Sequence, residues 1–189
     1  MATEIILKNV RIGFPELFKA VEFKGSMSYS VKAFIEPGST NDKLIRDAIN
    51  AEGRAKFPKE GKWEAMHDEF KMDKKAYPYC DGKRVDFNHP EGSWVLTAKR
   101  RESDGRPCII DQRKNPLAAS DGKPYAGCYC NVKLEIWAQD GENKGIRCSL
   151  ITVQFAKDGE SFGGAKPAND DGMEVLSDTG DDDNGDDLA

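Results

Sequence analysis

The sequence predicts a mainly β fold, a small closed barrel of about six strands with one helical insertion, followed by a disordered acidic C-terminal tail. Three observations carry this expectation. Apolar residues alternate at period two over several short segments, which is how half-buried strands read. The turn pairs Pro37-Gly38, Asp104-Gly105 and Asp158-Gly159 punctuate those segments. Residues 170–189 hold nine carboxylates and no Lys or Arg, a composition too poor in apolar surface to offset the entropy of folding.

Residues 4–12 and 27–35 read as the first two strands, the second alternating until Pro37-Gly38 ends it. Thr40 is placed to cap a helix over 41–57, with Leu44, Ile45, Ala48 and Ile49 on one stripe and Gly53 and Pro58 marking its end. Residues 59–89 are polar and broken by Gly and Pro, with a short helix near 64–72, and read as a surface excursion. A strand over 93–101, the turn Ser103-Asp104-Gly105 and a return strand over 107–111 follow, Asp-Gly supplying hairpin chemistry. Two longer strands occupy 125–138 and 146–157. In the first, Cys128, Cys130, Val132, Leu134, Ile136 and Ala138 form one face, and Tyr125, Gly127, Tyr129, Asn131, Lys133, Glu135 and Trp137 the other. An oligonucleotide-binding fold is one member of the barrel class so defined, and the pattern alone does not choose among them. The expected organisation is a barrel domain at 1–164 and a tail at 165–189.

Charge is unevenly spread. The chain carries 28 Lys and Arg against 33 Asp and Glu, net −5; nine of those acids lie in 170–189, leaving 24 acids and a net +4 for residues 1–169. A mildly cationic body with its own anionic tail suits reversible binding of phosphates. The N-terminal Met1-Ala2-Thr3-Glu4 lacks the basic start of a leader, and no apolar run is long enough to span a bilayer, so a soluble cytosolic protein with no membrane role is expected. Five cysteines at irregular spacing fit reduced thiols. Cys128-x-Cys130 with Cys108, His67 and His89 raises zinc, but the two-knuckle spacing of structural zinc is missing, and two cysteines two apart on a strand share a face pointing into the barrel with Val132. No metal or cofactor is expected. The phosphate-loop Lys, the paired-His helix and the Gly-x-Ser-x-Gly elbow are also missing, which argues against ordinary catalysis.

Three blocks of the second half resemble the single-stranded DNA-binding proteins of tailed bacteriophages. They are Arg106-Pro107-Cys108-Ile109-Ile110-Asp111 with Asn115-Pro116-Leu117, then Tyr125-Ala126-Gly127-Cys128-Tyr129, then Asn143-Lys144-Gly145-Ile146 leading to Val153-Gln154 and Asp158-Gly159-Glu160-Ser161-Phe162-Gly163-Gly164. The resemblance implies an oligonucleotide-binding fold and sequence-tolerant binding of single strands during replication and recombination, in the cytoplasm of the infected bacterial host. It also implies a partner-docking, self-regulating tail, with Asp181, Asp182, Asp183, Asp186 and Asp187 meeting replication or recombination proteins. Self-association into a homo-oligomer is compatible with it.

A binder of unpaired strands needs cations for phosphates and aromatic faces for bases. Lys99, Arg100, Arg101, Arg106, Arg113 and Lys114 gather around the expected hairpin with Trp94, while Tyr125, Tyr129, Lys133 and Trp137 share a strand face. Each group has a plainer reading: a basic hairpin can be a solvated edge, and Tyr129 and Trp137 can pack against the helical insertion. Trp63, Tyr77, Tyr79 and Phe87 can anchor the 59–89 excursion to the barrel or close over bound DNA, and anchoring is the expectation. Two other functions compete, a recombination strand-annealing protein and an interaction protein that works through its acidic tail and binds no DNA.

Overall fold

The computed structural model describes residues 2–162. The predicted domain boundary at 164 and the tail carboxylates Asp181, Asp182, Asp183, Asp186 and Asp187 lie outside the described residues. Seven strands and two helices follow in the order β1 (Thr3–Phe23), β2 (Ser26–Ile35), α1 (Thr40–Lys56), α2 (Lys62–Met72), β3 (Tyr79–Asp81), β4 (Trp94–Arg101), β5 (Cys108–Ile110), β6 (Tyr129–Gln139) and β7 (Gly145–Lys157). β1 pairs antiparallel with β2 and β6, β2 with β4, and β6 with β7. A parallel contact between Lys99 of β4 and Ser149 of β7 closes the ring. Five strands thus make the barrel of an oligonucleotide-binding fold. β3 adds to the free edge of β4, and β5 continues along β7 as a parallel strand. No described helix is long and apolar enough to cross a membrane.

The interior follows from strict alternation. Cys128, Cys130, Val132, Leu134 and Ile136 are fully buried as expected, with the Cys128 and Cys130 sulfurs 3.6 Å apart. They meet Leu7, Ile12, Val31, Leu96, Leu150 and Val153 from the other strands. α1 packs on β6 and β1 and directs Ile45, Ala48 and Ile49 into this core.

Several expectations change. β1 runs far past residue 12, because Gly13 and Pro15 sit in bulges and do not end it: the register slips between Gly13 and Glu16, and Phe14 takes φ 48°. Ser39, not Thr40, caps α1, its Oγ accepting from the Asp42 N–H at 3.2 Å. Leu44 lies off the buried stripe at 38% exposure. Gly53 does not end the helix; it is buried where a Cβ would overlap the Trp63 indole. The segment read as a surface excursion forms a packed layer instead, with Trp63, Phe70, Tyr77 and Tyr79 all buried. The expected hairpin of residues 93–111 does not form. Glu102–Asp104 is a single 3-10 turn, and β5 pairs with β7, since closing the barrel leaves β4 flanked by β2 and β7.

His67 lies inside the α2 layer, its ring stacked on Trp63 at 4.6 Å and its Nε2 2.8 Å from the Tyr77 hydroxyl. Burial, aided by the Lys71 charge, pushes its pKa from 6.5 down to about 4. Between those values the unfolded chain binds a proton that the folded chain refuses, so stability falls as pH drops from 6.5 to about 4. Urea midpoints taken across that range are expected to decline steadily, and His67→Phe is expected to flatten the decline. A decline that begins only below pH 4 would place the acid sensitivity on carboxylates.

Candidate nucleic-acid interface

Pairing register fixes which side chains share the outer face of β1, β2 and β4. Val31, Ala33 and Ile35 point inward, so Ser28, Ser30, Lys32 and Phe34 point outward. Their partners on β4 are Arg101, Lys99, Thr97 and Val95, and on β1 Arg11 faces Phe34 while Phe23 faces Ser26. From residue 26 to residue 34 this face runs roughly 27 Å at the rise of an antiparallel strand.

Cations and rings alternate along it. At one end Arg11 lies 6.0 Å from the Tyr129 ring and 4.1 Å from that of Phe162, and Lys157 lies 4.7 Å from Tyr129. In the middle Lys32 sits 5.0 Å from Phe87 and 5.9 Å from Phe14, two rings meeting edge to face at 4.8 Å. At the far end Lys99 is 5.0 Å from Phe23, which is 59% exposed beside Lys24 in the β1–β2 turn. Next to Arg11 a cavity of about 420 Å³ opens between Asn9, Phe34, Tyr129 and the 90–93 turn.

Electrostatics favour an anion here. Burial, then repulsion from Lys99, lowers the pKa of Lys32. Among the described residues, Lys24, Lys32, Lys99 and Arg101 enter no ion pair. A phosphate would relieve the Lys32–Lys99 repulsion, and the neighbouring rings offer π-faces to bases.

The structure unites only part of the predicted set on this face: Lys99, Arg101 and Tyr129. Arg100 points the other way and gives its guanidinium to the carbonyls of Gly105 at 2.8 Å and Asp104 at 2.6 Å, holding the 3-10 turn. Trp94 is half-buried against Tyr79 at 5.1 Å, with the Arg46 guanidinium 4.5 Å above it. Arg106 lies 5.9 Å from the Phe18 ring. Arg113 and Lys114 project from the loop after β5, where Asp111 holds the backbone through the Arg113 and Asn115 N–H groups. Tyr125 donates to Asp158 at 2.9 Å and accepts from the Gly159 N–H at 3.1 Å. Lys133 is paired with Glu4 at 2.9 Å, and the Trp137 indole N–H donates to Ser149 at 3.0 Å, both on the outer face of β6.

Sequence reasoning missed Arg11, Phe14, Phe23 and Lys32, and placed Phe87 as a loop anchor ahead of a contact with DNA. The signal for Lys32 was present in the alternation of β2. The others come from the bulged middle and far end of β1 and from the loop before β4, which only the topology assembles.

A family model described as the single-stranded DNA-binding protein of Enterobacter phage Enc34 matches residues 3–185. The chain belongs to this family. Protein p50 of Acyrthosiphon pisum secondary endosymbiont phage 1 is 32% identical over 180 residues, 92% of this chain and 94% of p50. The single-stranded DNA-binding protein of bacteriophage Enc34, solved in complex with single-stranded DNA, superposes with a TM-score of 0.66 at 25% identity, covering 85% of this chain and 89% of that one. Gp2.5, the single-stranded DNA-binding protein of bacteriophage T7, shares the fold at TM-score 0.52 and 13% identity over 95% and 98% of the two chains.

Proposed function

We propose that this member of the phage family binds single-stranded DNA without sequence preference. It coats and protects unpaired strands during phage replication and recombination in the host cytoplasm, and carries out no chemistry of its own. The observation that carries this reading is the run of cations set among aromatic rings on one outer face of the barrel, Arg11, Lys32 and Lys99 with Tyr129, Phe14, Phe87 and Phe23, of which Lys32 and Lys99 enter no ion pair among the described residues. Phosphates along this face meet the cations while bases stack on the rings, which makes binding tolerant of sequence. The nine carboxylates of 170–189 serve partner proteins and compete with DNA for the same cations.

The test is a titration of labelled oligonucleotides, single- and double-stranded, at two salt concentrations. Tight binding of single strands is expected, with affinity falling as salt rises because counterions are released. Binding that ignores salt, or no binding at low salt, defeats the reading. Faster pairing of complementary strands in the same samples would move the protein to the annealing class.

A further inference from the structure

The end of the described chain lies on the proposed DNA face. Phe34 points outward from β2, over Gly13, where a Cβ would come 2.7 Å from its ring. It stands outside the core cluster and is nevertheless only 5% exposed. An outward aromatic this covered has something laid on it, and here it is the chain itself. Phe162 meets Phe34 edge to face at 5.4 Å, and Arg11 lies 4.1 Å over the Phe162 ring.

Residues 158–162 are tied down along their length. The Phe162 N–H donates to Ala126 O at 3.0 Å, and Tyr125 binds Asp158 and Gly159. Arg11 donates through Nε to Gly127 O at 3.0 Å and through a terminal nitrogen to Glu160 O at 2.5 Å. Gly127, at φ 107°, lets the Glu160 carbonyl approach closer than any Cβ would allow. The segment therefore occupies an arginine and a π-face together, the two things a single strand needs.

The geometry points to residues 158–162 as an intramolecular strap that seats Phe162 where a base would stack on Arg11 and Phe34, so that single-stranded DNA binds this end of the face by lifting the strap. The inference rests on the DNA-binding reading above and deepens it. The competition is local and aromatic, unlike that of the tail carboxylates, so it persists in salt that screens charges.

Two measurements on the full chain test it. Phe162→Ala is expected to tighten binding of a fluorescein-labelled oligo-dT roughly threefold to tenfold, the size of one aromatic and cation contact, with the melting temperature unchanged and Phe162→Tyr behaving as the parent chain. Saturating oligo-dT is also expected to speed chymotrypsin cleavage after Phe162 while slowing it after exposed Phe23. Weaker or unchanged binding by Phe162→Ala, or slower cleavage after Phe162 with DNA present, overturns the strap. If the unsubstituted chain fails to bind oligo-dT at low salt, the DNA-binding reading fails first; if it binds and Phe162→Ala gains nothing, the strap alone fails.

Discussion

Trp63→Ala is expected to cost about 3–5 kcal/mol of stability, the range for emptying a large aromatic site in a packed interior. Trp63 is 1% exposed and joins the two helices. Its ring lies parallel to Phe57 at 6.4 Å, stacks on His67 at 4.6 Å and tilts against Phe70 at 6.3 Å. Its indole N–H donates to Asn50 at 3.1 Å. The buried floor at Gly53 admits the ring only because that residue has no Cβ. Truncation thus leaves a cavity bounded by rigid rings together with an unpaired Asn50 oxygen, and α1 and α2 cannot collapse to fill it. Gly53→Ala should destabilise by the opposite route, overpacking against the same indole. Urea denaturation reads both, and oligonucleotide binding by the folded fraction should stay unchanged because none of these neighbours reaches the β1–β2–β4 face. A loss below about 1 kcal/mol for Trp63→Ala would mean that the α2 layer is peripheral to stability.

The pattern of what could be read from the sequence follows from the range of the forces involved. The alternation of β6 was legible because a dry barrel interior tolerates no polar side chain at Cys128, Cys130, Val132, Leu134 or Ile136. The second half of β1 was not, because Gly13 and Pro15 are terminators in most settings and become bulge residues only when β2 pairs across them. The α2 layer is legible in part, since the short helix and the anchoring of Trp63, Tyr77 and Tyr79 follow from the sequence while the extent of the packed layer does not. Trp63, Phe70, Tyr77 and Tyr79 follow no single period, and tertiary packing alone turns them into a core. The turn at Glu102–Asp104 carries hairpin residues, yet the partner of β5 is β7, more than forty positions away in the register Cys108↔Thr152. The candidate face shows the same division. Lys99, Arg101 and Tyr129 stand out locally, whereas Phe14 and Phe87 meet only after the 82–93 segment folds back onto β1, and Arg11 meets Tyr129 only when β1 lies beside β6.

The second large effect separates two faces of one barrel. Phe14→Ala and Phe87→Ala are each expected to weaken single-strand binding by roughly 1–3 kcal/mol, the range for losing one stacked base. Phe14 is 46% exposed, so its removal opens no cavity, and melting temperatures should barely move. Lys32→Ala is expected to flatten the salt dependence by about one counterion, because Lys32 sits between those rings and beside Lys99 with no carboxylate partner among the described residues. Trp137→Ala and Lys133→Ala provide the contrast. Trp137 is held to Ser149 and Lys133 to Glu4 on the outer face of β6, so their loss should leave both affinity and salt slope near those of the parent chain. Fluorescence titrations of the five variants and the parent chain against one oligonucleotide at two salt concentrations decide between the faces. If Trp137→Ala and Lys133→Ala weaken binding while Phe14→Ala and Phe87→Ala do not, the strand runs across β6 and β7, and the cations on β2 and β4 serve only to keep that surface solvated.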